Sequence, residues 1–196
     1  MYDSEDKNVL IKMKHDGQKK VYLTIDDGPS KVLPQILDIL KDENVPAIFF
    51  WQSRLIYDER PWKRVLDEGH LIGTHSTKHK NLVKLSYAEQ YHDIDQSVKK
   101  LEQVIGTKVK YFRPPYGQYN QDTIDVANKL QLTTVMWRIA SMDWEHKKDP
   151  QQIISHVINH LEDGAIILIH ELSQTLEILP QLIKEVKDKG YSFSKF

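Results

Sequence analysis

Short apolar, β-rich runs alternate along this chain with longer stretches of helical periodicity, and no linker or low-complexity tract interrupts the alternation. That pattern reads as parallel α/β. Seven runs read as strands: KVYLTI (20–25), PAIFFW (46–51), HLIGT (70–74), VKYF (109–112), TTVMWRI (133–139), AIILI (165–169) and YSFSKF (191–196). Between them, apolar residues recur at helical spacing at 33, 36, 37 and 40, and again at 94, 98, 101, 104 and 105 before a glycine stop. The stretches 121–131, 149–162 and 173–189 behave similarly, and 60–68 is a shorter candidate. Seven strands with helical crossovers leave two architectures open, a barrel short of the usual eight strands or an open doubly wound sheet.

In both architectures functional residues collect beyond the carboxyl ends of the strands. Asp26 and Asp27 follow the first run, His75 and His79 the third, and Arg113 and Tyr116 the fourth. Asp143 and Trp144 follow the fifth, and the sixth ends on His170 and Glu171. The ligand chemistry is limited by composition: there is no Cys, so thiolate metal sites and disulfides are excluded, and the nine His and the carboxylates are the strong ligands available. A formal net charge of -1 gives no basic field for a phosphate backbone, so nucleic acid is not an expected partner. With 196 residues, 40% of them hydrophobic, one domain with one core is the expectation. Runs such as AIFFW and AIILI fall far short of the roughly 18 residues of a membrane span, so no membrane contact by this chain is expected. Residues 1–18 read as a polar N-terminal arm without the apolar stretch of a signal peptide.

Each strand-end residue has a plain structural reading too. Asp26-Asp27-Gly28-Pro29 is good turn chemistry, although two adjacent carboxylates repel unless a cation lies beside them. His75 and His79, four apart, suit one metal ion but also an ordinary surface pair. His156 and His160 have the same spacing, yet the stripe of Ile153, Ile154, Val157, Ile158 and Leu161 places them on the polar side of a helix. Arg113 could be a surface cation on a rigid Pro-Pro loop, and Trp137 and Trp144 core or rim residues. His170 ends a run that should be buried, where an imidazole needs a partner.

Five short motifs in order, TIDDGP, HSTKH, RPPYG, MDW and LIH, make the chain similar to the polysaccharide deacetylases of carbohydrate esterase family 4, the chitooligosaccharide-deacetylase-like (NodB-homology) fold. The resemblance extends over about residues 20–196, including ILDILKDENVPAIFF and DEGHLIGTHS between the motifs. It implies a single-domain, distorted, TIM-like (β/α) barrel of about seven parallel strands, with a catalytic domain at 19–196 behind the arm at 1–18.

The resemblance also implies roles. Asp27, His75 and His79 would hold one divalent ion, Zn by preference with Co, Ni or Mn as alternatives, and the ion would offset the repulsion between the two aspartates. Asp26 would be the general base, paired with Arg113, and His170 the general acid, oriented by Asp143. The Tyr116 N–H would stabilise an oxyanion, and Leu168 and Trp144 would wall an acetyl-sized pocket. Trp51, Trp62, Tyr116 and Tyr119 are candidates for sugar-face contacts. Two positions depart from the family pattern: Ala140 stands where a second Asp often precedes Asp143, and Ser53 where Gly is usual. The expected activity is hydrolytic removal of acetyl groups from N-acetylglucosamine-type residues of a cell-wall or extracellular polysaccharide. A catalytically weak carbohydrate-binding descendant and an amidase acting on a small N-acyl metabolite are the alternatives. A monomer is expected, extracellular or tethered to wall or membrane, with a leader that this chain does not carry.

Overall fold

The computed structural model describes residues 1–14 and 17–196. In chain order its elements are β1 (Val9–Leu10), β2 (Lys20–Gly28), α1 (Leu33–Asp42), β3 (Ala47–Trp51), α2 (Trp62–Asp67), β4 (Leu71–Thr74), α3 (Tyr87–Ile105) and β5 (Tyr111–Phe112). They continue with α4 (Gln121–Lys129), β6 (Thr133–Val135), β7 (Ile139–Ala140), α5 (Gln151–Ile158), β8 (Ile166–His170), α6 (Ser173–Asp188) and β9 (Ser192–Phe193). The strands form one curled parallel sheet in the order β1-β6-β5-β4-β3-β2-β8-β7, with β9 beside the start of β2. The expected distorted barrel is the architecture found, with the helices packed around it.

Alternation along β2 shows how the layers arise. Val21, Leu23 and Ile25 point outward into the large cluster shared with the helices, which includes Leu33, Ile36, Leu37 and Leu40 of α1 and Ile178, Leu179, Leu182 and Ile183 of α6. Tyr22 belongs instead to a second cluster inside the curl, with Ile48, Phe50, Val135 and Ile166. Each fully buried aliphatic side chain in these layers stabilises the fold by about 1.5–3 kcal/mol relative to exposure. Helix ends are set by local chemistry. Ser86 and Glu89 form a reciprocal capping box on α3, whose far end stops at Gly106 in the left-handed conformation.

Two features differ from the sequence reading. The run 133–139 is two strands, because the chain changes neighbours within it: the Met136 N–H donates to Leu10 O, and the Arg138 N–H donates to Ile166 O. The Val135 and Met136 carbonyls between them accept from the guanidinium of Arg113. In addition, the arm supplies a strand, β1, which pairs with β6 through Val9↔Thr134 and Leu10↔Val135. Lys12 then bridges to Ala165, just ahead of β8. No helix of the described residues is long and apolar enough to cross a membrane.

Candidate active site

Along a regular strand Asp26 and Asp27 would face opposite sides of the sheet. They do not, because the ladder between β2 and β3 slips between Asp26 and Gly28, and Asp27 takes φ 70°. This bulge turns a carboxylate that alternation would send toward the helices into the same cleft as its neighbour, which is a recurrent use of bulges beside functional sites. Asp26 pairs in register with Phe50 on one side and with His170 on the other. Two of the ionisable groups are therefore strand neighbours.

His75 and His79 lie beyond the end of β4. The His75 Nδ1–H donates to the Arg113 carbonyl at 2.7 Å, which turns Nε2 into the cleft. His79 adopts φ 56°, and its N–H donates to the Ser76 hydroxyl at 3.0 Å. The two Nε2 atoms are 3.1 Å apart, and Asp27 Oδ1 lies 3.4 Å from that of His79 and 3.9 Å from that of His75. These three residues are the one group of three or more potential metal ligands among the described residues. Ligands about 2.0–2.1 Å from a tetrahedral ion stand roughly 3.3 Å apart, so the donor set fits a divalent ion such as Zn in both chemistry and spacing. Burial works against ionisation of Asp27, but the imidazoles of His75, His79 and His170 and the Gln52 amide outweigh it and hold the carboxyl below its ordinary range.

Asp26 is almost fully buried and accepts from Arg113 Nη1 at 2.7 Å. Arg113 is itself wholly buried inside the curl, with every nitrogen of its guanidinium engaged: Nη1 also donates to the Thr24 hydroxyl, Nε to Val135 O and Nη2 to Met136 O. Its plane lies over Phe50 at 4.4 Å and near Trp137 at 5.6 Å. Arg113 is thus a fixed strut beneath Asp26, and Lys could not reproduce this multidentate arrangement.

Across the cleft, the His170 Nδ1–H donates to Asp143 Oδ1 at 2.7 Å. The fully buried Asp143 also accepts from the His170 N–H at 2.6 Å and the Thr175 hydroxyl at 2.7 Å. Burial pulls the His170 pKa down, but the hydrogen bond and charge of Asp143, helped by Asp26 and Asp27, outweigh it and raise it above the ordinary histidine value. Ala140, in the position of the family's second Asp, lies on β7 opposite Leu168, so Asp143 is the carboxylate that meets His170.

These groups open onto a cleft of about 410 Å³ lined by Asp26, Asp27, His75, His79, Tyr116, Gly117, Trp137, Trp144, Leu168, His170 and Leu172. Tyr116 and Trp144 form its rims, with 62% and 45% exposure, and their rings pack edge-on against His79 and His170. Tyr116 sits at φ 60° and Gly117 at φ 63°, where a Cβ on Gly117 would overlap Trp137. The turn uses the N–H groups of Gly117 and Gln118, bonded to Pro114 O and Pro115 O, and not that of Tyr116.

Other candidates fall elsewhere. Trp51 is fully buried and donates from Nε1 to Glu171 at 2.8 Å, so it presents no face to a sugar. Trp62 packs half-buried against the outer core. Tyr119 lies in an adjoining depression with Tyr2, Val83, Gly117, Gln118 and Asn120, outside the cleft lining. His160, just past the end of α5, donates from Nδ1 to the His156 carbonyl, and the His156 Nε2 atom meets that of His146 at 3.1 Å and not His160. Ser53 is buried with its hydroxyl unpartnered, and its N–H donates to Ser76 O. Sequence reasoning missed Gln52, which donates to Asp27 at 2.9 Å, and placed Glu171 at a strand end without a role, whereas it accepts from both Trp51 and the Ser30 N–H. Both flank strand-end motifs, but an amide and an acid there carry no signal without the bulge.

Comparison with known proteins agrees with this geometry. The sequence model of the polysaccharide deacetylase family matches residues 13–135. The chain is 36% identical over 178 residues to the peptidoglycan-N-acetylglucosamine deacetylase PgdA of Listeria monocytogenes, an alignment that takes in 89% of this chain and 37% of that protein. The crystal structure of the Bc1960 peptidoglycan N-acetylglucosamine deacetylase superposes with a TM-score of 0.86 at 30% identity, covering 95% of this chain and 90% of that one. BA3943 of Bacillus anthracis, described as a CE4 family pseudoenzyme, superposes with a TM-score of 0.85 at 30% identity over 94% of this chain and 66% of that one. Curated relatives run longer than this chain, which spans 51% of YlxY of Bacillus subtilis. A match over more than half the sequence, a shared barrel and the motif residues gathered at one cleft lead to one assignment: the chain belongs to the polysaccharide deacetylase family.

Proposed function

We propose that this chain hydrolyses the N-acetyl group of N-acetylglucosamine-type residues in a cell-wall or extracellular polysaccharide. The observation that supports the reading most directly is the placement of Asp26 and His170 as register partners beside the Asp27, His75 and His79 cluster. A divalent ion held by that cluster, Zn by preference, would supply Lewis acidity to the cleft. Asp26, held by Arg113, takes the proton of the attacking water. The Tyr116 N–H, free of the turn's own bonds, donates to the carbonyl oxygen as negative charge develops there. His170, held by Asp143 through Nδ1, gives the Nε2 proton to the departing amine. Leu168 and Trp144 wall the space for the acetyl methyl. The exposed rims at Tyr116 and Trp144 suit a polymer lying across an open cleft better than a small enclosed metabolite. A polymer of this kind lies outside the cell, so the proposed site of action is extracellular or at the wall.

The test is acetate release, with Zn or Co supplied, from peptidoglycan, chitooligosaccharides, poly-N-acetylglucosamine and acetylated xylan. Release from an N-acetylated polymer is expected. A chain that binds these polymers yet releases no acetate from any of them would be a carbohydrate-binding descendant, as BA3943's description as a pseudoenzyme allows within this family.

A further inference from the structure

Outside the cleft, a second pair of imidazoles stands at the separation of the first. His146 follows the segment that carries Asp143 and Trp144, and His156 projects from α5; their Nε2 atoms are 3.1 Å apart and their ring centroids 5.0 Å. The corresponding values for His75 and His79 are 3.1 Å and 4.7 Å. The His146 and His156 planes lie 28° apart, against 62° for His75 and His79, and Nε2 atoms 3.1 Å apart under centroids 5.0 Å apart place the two nitrogen edges together in an offset, near-parallel pair. With one ring protonated at Nε2 this is a hydrogen bond. With an ion in place of that proton, both lone pairs are engaged, and two nitrogens about 2.0–2.1 Å from a tetrahedral ion stand roughly 3.3 Å apart.

We propose that His146 and His156 form a second metal site, which takes a transition ion suited to imidazole, Zn²⁺, Ni²⁺ or Cu²⁺, with water completing the coordination. It is weaker than the cluster in the cleft, because no third His, Cys, Asp or Glu joins the pair at chelating distance among the described residues. The site has a consequence for the cleft. Asp143 and Trp144 lie three and two residues before His146, on a loop held by short turns from Met142 O to the Glu145 N–H and from His146 O to the Asp149 N–H. An ion joining His146 to α5 ties down the outer limb of that loop, so it rigidifies the segment that orients His170 and walls the cleft.

Equilibrium dialysis of the full chain against ZnCl₂ tests this. The native chain is expected to take up two equivalents, the second more weakly. His146→Gln and His156→Gln, both at partly exposed positions, should each take up one, while His160→Gln keeps two. Hydrogen exchange of the 141–150 segment should slow by about threefold or more between the first and second equivalents in the native chain, and not in His156→Gln. A single equivalent in the native chain up to about 1 mM Zn²⁺, a second equivalent that survives in both variants, or exchange that ignores the second equivalent would overturn the proposal.

Discussion

At the scale of single residues, one bulge gives two neighbouring carboxylates different surroundings. Asp26 stays in the strand, locked to Arg113, while Asp27 is rotated out of alternation toward His75 and His79. Asp26→Asn is therefore expected to keep bound metal and lose turnover by about 100-fold or more, whereas Asp27→Asn should lower metal affinity itself; dialysis beside acetate release separates the two. Near-native turnover in Asp26→Asn would place the base elsewhere. His170 is tested by leaving group, since an amine needs a proton to depart and an aryl alkoxide does not. In His170→Asn with normal metal content, deacetylation of an N-acetyl sugar should collapse while hydrolysis of an activated aryl acetate is largely spared. Equal losses would show that the residue acts before the amine departs. Its raised pKa also has a sign. In the proposed role the acid form is the active one and is lost as pH rises through the raised value, so Asp143→Asn, which removes the carboxylate that raises it, should move the alkaline limb of kcat/KM to lower pH. For folding, the pair's contribution is fully present below an unfolded value of about 6.5 and fades as pH rises through the folded one.

At the scale of elements, the end of β2 is braced from both neighbours. Trp51 at the end of β3 and Glu171 just past β8 meet across Gly28, and Glu171 also takes the Ser30 N–H while its own N–H donates to Asp26 O. Burial raises the Glu171 pKa, against the hydrogen bonds from Ser30 and Trp51 that favour its ionised form. A Cβ at Gly28 would overlap Glu171 Oε1 and crowd Trp51 Nε1. Gly28→Ala should thus cost about 1–3 kcal/mol of stability and weaken metal binding through the displaced Asp27, read from urea midpoints and dialysis together. An unchanged midpoint would mean that the brace yields freely. Elements like this mark where the sequence stops being readable. Strand ends were legible because a parallel sheet delivers its functional groups there, and the five motifs carried the cleft's main residues. The bulge was not, since it rests on one backbone angle at Asp27 that Asp-Asp-Gly-Pro permits but does not demand. The split within 133–139 was hidden by an unbroken β-prone run, and its cause, Arg113 taking two carbonyls, lies more than twenty residues away in the chain. Trp51 shows that a strand end need not be surface, because Glu171 holds its indole inside.

At the scale of the whole molecule, one end of the sheet is the arm's own β1, and from there Lys12 bridges across a seam to Ala165 ahead of β8; the arm was legible only as polar sequence because three apolar residues in a row, Val9 to Ile11, have no period to read. Its fastening is concentrated at Arg138, which donates to Glu162 at 2.6 Å and to Tyr2 O at 2.9 Å and pairs with Asp3 at 3.3 Å. The arm also reaches the cleft indirectly. Tyr2 packs against Trp137, a cleft wall, at 5.5 Å, and Leu10 O holds the Met136 N–H on the same residue whose carbonyl takes Arg113 Nη2. Removing residues 1–13 would bare the backbone of β6 as an open sheet edge, with its unpaired N–H and C=O groups available to other chains. It would also free the segment that grips Arg113, and through it Asp26. The truncated chain is therefore expected to unfold at lower urea, to self-associate more readily, and to lose turnover while keeping its first metal equivalent, because Asp27, His75 and His79 stand on β2 and beyond β4, away from the seam. Equal midpoint and turnover with and without the arm would show that β1 lies on the barrel without supporting it.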